Sequence, residues 1–164
     1  MAEFFIADMH FGSASNAKWR KFSSSDAMDA AIIDAWRDRV ADGDVVWVVG
    51  DVGSIDPLRN LPGTKHLVFG NDDTPKALFK NSAVFATYAN SHIHESDRGP
   101  ILLIHRPKDA VAGSLPVLHG HTHAMPDEPD PRFVSVSVDK TGWGPISLDE
   151  VWRRVDQRKF DKPA

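Results

Sequence analysis

The densest group of possible ligands is His119-Gly120-His121-Thr122-His123, three imidazoles within five residues. Alone, such a run reads as readily as a chance cluster or a structural site as it does a metal site. Oxygen donors lie elsewhere, in Asp8-Met9-His10, Gly50-Asp51 and Gly70-Asn71-Asp72-Asp73, and a separate imidazole stands at His105. Taken singly, each of these is as consistent with a surface turn. Taken together, Asp8, His10, Asp51, Asn71, His105, His121 and His123 are a mixed imidazole, carboxylate and amide set. That mixture suits Mn²⁺, Fe, Zn²⁺, Co²⁺ or Ni²⁺. Seven donors exceed one tetrahedral site and fit two ions sharing a bridging carboxylate. Two ions about 3.5–4 Å apart can clamp an in-line displacement at phosphorus and acidify a water.

The elements that must position these residues are short apolar runs at 3–7, 45–49, 66–69, 83–86, 101–104, 115–118 and 133–138, which predict strands. Val45-Val46-Trp47-Val48-Val49 is continuous rather than alternating, as expected of a strand covered on both faces. Nearly every run stops at a candidate ligand: 3–7 at Asp8, 45–49 at Gly50-Asp51, 66–69 at Gly70-Asn71, 101–104 at His105, 115–118 at His119. Ligands of open α/β sheets gather at the carboxyl ends of strands. Burying so many ionisable groups without a partner is costly, and metal coordination removes that cost. Met28, Ala31, Ile32, Ala35, Trp36 and Val40 predict a helix over 26–41, capped by Ser23 or Ser25 and followed by Gly43. Ser147-Leu148-Asp149-Glu150 is a capping box ahead of a C-terminal helix carrying Val151, Trp152 and Val155. A shorter helix is expected around 74–81. The fold class is therefore mixed α and β, with helices flanking sheets.

The 164 residues fit one domain, 1–164, with no repeat or linker. The chain has no cysteine, which excludes thiolate ligands, disulfides and a Cys nucleophile. A net charge of −4 gives no nucleic-acid-binding signature, and the basic stretch Arg153-Arg154 with Arg158-Lys159 is broken by Asp156 and Asp161. No leader or membrane-length apolar run is present, so a cytoplasmic enzyme is expected. Nothing in the sequence fixes the oligomeric state.

In order and context the motifs resemble those of the calcineurin-like metallophosphoesterase superfamily: Asp-X-His, Gly-Asp, Gly-Asn-His-Asp/Glu, a lone His, then Gly-His-X-His. The matches are Asp8-Met9-His10, Gly50-Asp51, Gly70-Asn71-Asp72-Asp73, His105 and Gly120-His121-Thr122-His123. The ending Val136-Ser137-Val138-Asp139, followed by Pro145-Ile146-Ser147-Leu148-Asp149-Glu150-Val151, is similar to small bacterial and phage-type members. The resemblance implies a four-layer α/β/β/α sandwich of two mixed sheets. It implies one metal on Asp8, His10, Asp51 and His123, and a second on Asp51, Asn71, His105 and His121, with Asp51 bridging. The cofactors implied are two divalent transition-metal ions, Mn²⁺ foremost. The activity implied is hydrolysis of a small phosphoester or nucleotide-type substrate, as a phosphodiesterase, by attack of a metal-bridging hydroxide. A broad phosphomonoesterase and a catalytically weak metal-binding module are the alternatives. His119 has no counterpart among these ligands and reads as a strand residue.

One departure bears on the chemistry. The superfamily commonly carries His after Gly-Asn, where it contacts phosphate and protonates the leaving group; this chain has Asp72, with Asp73 matching the acid that supports that His. Asn71 and Asp72 are thus the candidate catalytic pair. Two divalent ions, two carboxylates and a hydroxide sum to about +1, and an ionised Asp72 brings this to about zero, which penalises a monoester dianion more than a diester monoanion. His92 or His94 is the fallback proton donor. Arg98, Arg106 and Lys108 could meet substrate or serve as ordinary surface charges, around a pocket expected to be open and shallow.

Overall fold

The computed structural model describes residues 1–74 and 83–160. Within them are nine strands: β1 Glu3–Ile6, β2 Val45–Val49, β3 Thr64–Val68, β4 Thr87–Ala89, β5 Ser91–His94, β6 Ile101–Ile104, β7 Val117–His119, β8 Phe133–Ser135 and β9 Ile146–Ser147. The α-helices among them are α1 Ala14–Trp19, α2 Ser25–Arg37, α3 Val138–Thr141 and α4 Leu148–Phe160. The strands form two mixed sheets, five-stranded in the order β4-β3-β2-β1-β9 and four-stranded in the order β5-β6-β7-β8. In the first, β1 to β4 run parallel and β9 antiparallel; in the second, β6 to β8 run parallel and β5 antiparallel.

Alternation along the strands sorts two cores. Phe4, Ile6, Val46, Val48 and Leu67 face α2, where Met28, Ile32 and Trp36 are fully buried. Phe5, Ala7, Trp47, Val49 and Val68 face the second sheet and meet Ile101, Leu103, Leu118 and Val134, with Val151, Trp152 and Val155 of α4. This double coverage is why β2 is apolar at every position. Trp36 also donates its indole N–H to the Pro62 carbonyl at 3.1 Å, so its polar atom is satisfied within the core. The sheets are stitched together beside the candidate ligands. The Ala7 amide donates to the Val136 carbonyl at 2.9 Å, and the Val138 amide donates to the Ala7 carbonyl at 3.0 Å.

Several element boundaries differ from expectation, each for a local reason. The strand expected at 66–69 is β3, which begins earlier, at Thr64, because Lys65 is buried with its ammonium donating to the Leu61 and Gly63 carbonyls at 2.6 and 2.9 Å. The run 83–86 is not itself a strand; the chain pairs only from Thr87, as β4. The run 115–118 is shifted to β7, and 133–138 stops at Ser135 and turns into α3. β5 was hidden because half its residues are His. The helix expected over 26–41 occupies 25–37, and its cap is Ser24, whose hydroxyl accepts from the Ala27 amide at 3.1 Å. The Ser147 hydroxyl accepts from the Glu150 amide at 3.2 Å, as the capping box requires. The helix expected around 74–81 lies, beyond Thr74, outside the described residues. Among the described residues no helix is long and apolar enough to cross a membrane.

Candidate metal centre

All seven candidate ligands come from segments that follow strands. β1 delivers Asp8 and His10, β2 Asp51, β3 Asn71, β6 His105, and β7 His121 and His123. Five of the seven hold left-handed backbone: Asp8 at φ 58°, His10 at 48°, Asp51 at 56°, His121 at 69° and His123 at 48°. Such conformations cost non-glycine residues about 1–3 kcal/mol each and persist only where the surroundings impose them. Here the loops brace one another. The Asp8 amide donates to the Gly50 carbonyl at 3.0 Å, the His10 amide to the Asp51 carbonyl at 3.0 Å, and the Gly120 amide to the His105 carbonyl at 3.1 Å. The approach is so close that a Cβ on Gly70 would lie 2.2 Å from Asp51 Oδ1, and one on Gly50 2.4 Å from His105 Nδ1. The glycines before Asp51 and Asn71 are therefore required by space.

The side chains converge as two groups. Asp8, His10 and His123 bring donor atoms within 4.8 Å of one another, and so do Asp51, His105 and His121. Asp51 lies between them: its Oδ2 is 3.6 Å from His10 Nε2 and 3.2 Å from His105 Nε2. Asn71 Oδ1 stands 3.1 Å from His105 Nε2, which adds the amide oxygen to the second group. His10, Asp51 and Asp72 form a third, overlapping trio.

Tautomers follow from the partners. His105 Nδ1 donates to the Val49 carbonyl at 2.8 Å, so Nε2 is the ring atom turned toward Asp51 and Asn71. His123 Nδ1 donates to Asp139 Oδ2 at 2.9 Å, which leaves Nε2 for the centre. Imidazole ligands are commonly oriented in this way by a carbonyl or carboxylate behind them. Asp139 is held by Arg20, whose Nε and Nη2 donate to it at 2.9 and 2.7 Å. Arg20 also donates to the Asp8 and Met9 carbonyls at 2.7 and 3.2 Å. Its Nη2 lies 3.2 Å from His123 Nδ1 as well, but both are donors once the imidazole bonds Asp139, so the guanidinium is satisfied by the carboxylate. Neither Arg20 nor the role of Asp139 was evident in the sequence. The two are 119 residues apart, and although Asp139 closes the run Val136-Ser137-Val138-Asp139, nothing in that run marks it as a partner of His123 or Arg20.

Burial and the neighbouring carboxylates act in opposite directions on the imidazoles. Burial pushes the His10 imidazole below its usual range, more than the carboxylates of Asp51 and Asp8 raise it. Burial also opposes ionisation of Asp51, but the hydrogen bond and charge of His105, the Asp72 amide and His10 outweigh it and hold the carboxyl below the ordinary range. Burial lowers His105 and His123 too, and there the carboxylates of Asp51 and Asp139 win and raise both. Asp8 Oδ2 and His10 Nε2 are buried with no hydrogen-bond partner. Orphaned polar atoms of this kind carry a desolvation cost that a metal ion would offset. The donor set and the orphaned atoms fit a divalent cation.

The remaining candidates fall as follows. Asp73 is a clamp: its carboxylate accepts from the Gly70, Asp51 and Val52 amides at 2.7, 2.8 and 2.9 Å. Burial raises the Asp73 carboxyl despite these bonds. Asp72 is exposed; its Oδ1 accepts from the Asn71 amide nitrogen at 2.7 Å, and its Oδ2 lies 3.8 Å from His10 Nδ1. His119 ends β7, buried, with Nδ1 donating to the Gly120 carbonyl. His92 and His94 are not proton donors to this site. They point between the sheets, where His92 stacks on Trp47 at 4.1 Å and His94 Nε2 lies 3.3 Å from Glu3. Arg98 pairs with Asp156 at 3.0 Å and covers Trp152, whereas Arg106 reaches the site.

No family model matches the chain. It is 28% identical to the gene 66 protein of Mycobacterium phage D29, over 93% of this chain and 94% of that one. It is 26% identical to the uncharacterized protein MJ1445 of Methanocaldococcus jannaschii, over 95% and 92%. Among solved structures it resembles AQ665, a protein of unknown function from Aquifex aeolicus, with a TM-score of 0.75 and 21% identity over 93% of this chain and 98% of that one. The fold of the chain is therefore shared with the Aquifex protein.

Proposed function

We propose that the chain is a dinuclear metal-dependent phosphoesterase, foremost a phosphodiesterase, of the calcineurin-like superfamily and with its four-layer α/β/β/α sandwich. The observation that carries this reading is the position of Asp51, within 3.6 Å of His10 on one side and 3.2 Å of His105 on the other, so that one carboxylate serves both donor groups. Asp8, His10, Asp51 and His123 hold one ion, and Asp51, Asn71, His105 and His121 the other. Two divalent ions held there supply Lewis acidity toward a phosphoryl oxygen and lower the pKa of water. The protein contributes rigidity: Arg20 and Asp139 fix His123, Val49 fixes His105, and Asp73 fixes the loop bearing Asp51. Such preorganisation avoids reorganisation during the reaction. Asp72, a carboxylate accepting from Asn71, stands where an acid would assist the leaving group, and it disfavours a monoester dianion over a diester monoanion.

The test is turnover of bis(4-nitrophenyl) phosphate and of 4-nitrophenyl phosphate by purified protein with added Mn²⁺. Metal-dependent hydrolysis favouring the diester is expected. Two bound ions with no turnover of either ester would point to a binding module and sink the enzymatic reading.

A further inference from the structure

The charges around the centre are unequal on its two sides. Beside His123 the Arg20 guanidinium is consumed by Asp139 and two backbone carbonyls. Beside Asn71 and His105 a cavity of about 460 Å³ opens, lined also by Phe69, Asn90, Ser91, Ile104 and Arg106. Asp109 lines it too, exposed. The Arg106 guanidinium reaches Asn71 Oδ1, with Nε 3.4 Å away. Arg98, Arg132, Arg153, Arg154 and Arg158 are each paired with a carboxylate, but among the described residues Arg106 makes no ion pair. A half-buried guanidinium left without a carboxylate, at the wall of a cavity that also offers the Asn90 amide and the Ser91 hydroxyl, is a set of donors looking for anionic oxygens.

The chemistry of those donors narrows the ligand. An arginine does not give up its proton in proteins, so Arg106 can stabilise a departing anion but cannot protonate it. Asp72 faces the site as an acceptor, and His92 and His94 are turned away between the sheets. A departing alkoxide needs a proton; a departing phosphate does not. On the phosphoesterase reading above, on which this inference rests, we propose that Arg106, Asn90 and Ser91 form a subsite for the departing phosphate of a phosphoanhydride, so that the preferred substrates are diesters of pyrophosphate. In the reaction a water oxygen bonds to phosphorus. The bond from that phosphorus to the bridging oxygen breaks, its electron pair leaves on the departing phosphate held by Arg106, and the proton of the water passes to solvent.

The test compares a dinucleoside diphosphate with the dinucleoside monophosphate carrying the same nucleosides, using the Mn²⁺-loaded enzyme. The diphosphate should be cleaved at least roughly 10²-fold faster in kcat/KM, since only its leaving group departs unaided. Arg106→Ala should lower kcat/KM for the diphosphate roughly 10²-fold, as loss of a charge-stabilising donor does, and that for bis(4-nitrophenyl) phosphate clearly less. Arg106→Lys should restore part of the difference. Calorimetric binding of imidodiphosphate should weaken roughly ten- to a hundredfold in Arg106→Ala. Equal rates on the two dinucleotides, or equal losses on diphosphate and aryl diester, would overturn the subsite while leaving the phosphoesterase standing. Failure to hydrolyse the dinucleoside diphosphate and both aryl esters would remove both.

Discussion

The molecule has two histidine clusters, and only one is built as a metal centre. In the seam between the sheets, His66 and His92 stack on Trp47 at 4.5 and 4.1 Å, and His94 lies beneath them against Phe5 and Glu3. These residues sit on regular strands, none with left-handed backbone. Burial lowers His66 and His92, so they pack as neutral rings. Among the described residues they form no set of three converging donors. At the strand ends, by contrast, His10, His105, His121 and His123 converge with Asp8 and Asp51, and all of these but His105 hold left-handed backbone. Imidazole number does not mark the site. Carboxylates shared between converging rings and imposed left-handed conformations do.

That contrast can be broken in several ways. The largest effect belongs to the core. Trp36→Ala should cost about 3–5 kcal/mol of stability, read from the denaturation midpoint, because the indole is fully buried. It should leave metal stoichiometry intact in the folded fraction, whereas Asn71→Ala should do the reverse. A destabilised Asn71→Ala with a stable Trp36→Ala would invert the division between site and core. Next in size, Asp139→Asn removes the carboxylate that orients His123 and should weaken one ion by roughly 10–100-fold while sparing the other. Equal weakening of both ions would mean that the two donor groups are not separate. Smallest, His92→Phe keeps the stack on Trp47 and should change stability by less than about 1.5 kcal/mol, with metal content unchanged. Loss of metal in that variant would make the seam part of the centre.

Sequence reached the ligands more easily than the residues behind them. Asp8 and Asp51 follow strands whose apolar runs are conspicuous because both faces of the first sheet are covered, and His105, His121 and His123 follow β6 and β7 of the second sheet, which are buried along nearly their whole length. β5 escaped because His92 and His94 occupy positions that face the seam, where a polar residue is not expected. The six-residue α1 buries only Ala17 and so carries no periodic signal, yet it ends beside Arg20, which braces the first donor group. Asp139 and Arg20 act through contacts that span most of the chain, and no local spacing encodes such a contact. Asp73, adjacent to a motif, was legible as a position but not as the clamp on three amides that it is.

The central claim is that Asp51 joins two metal sites, and equilibrium dialysis of Mn²⁺ against the wild type and Asp51→Asn tests it most directly. The account predicts two ions per chain in the wild type and weakened binding at both sites in the variant, by at least about tenfold each. Two tightly held ions in Asp51→Asn, or a wild type that takes up only one, would contradict it.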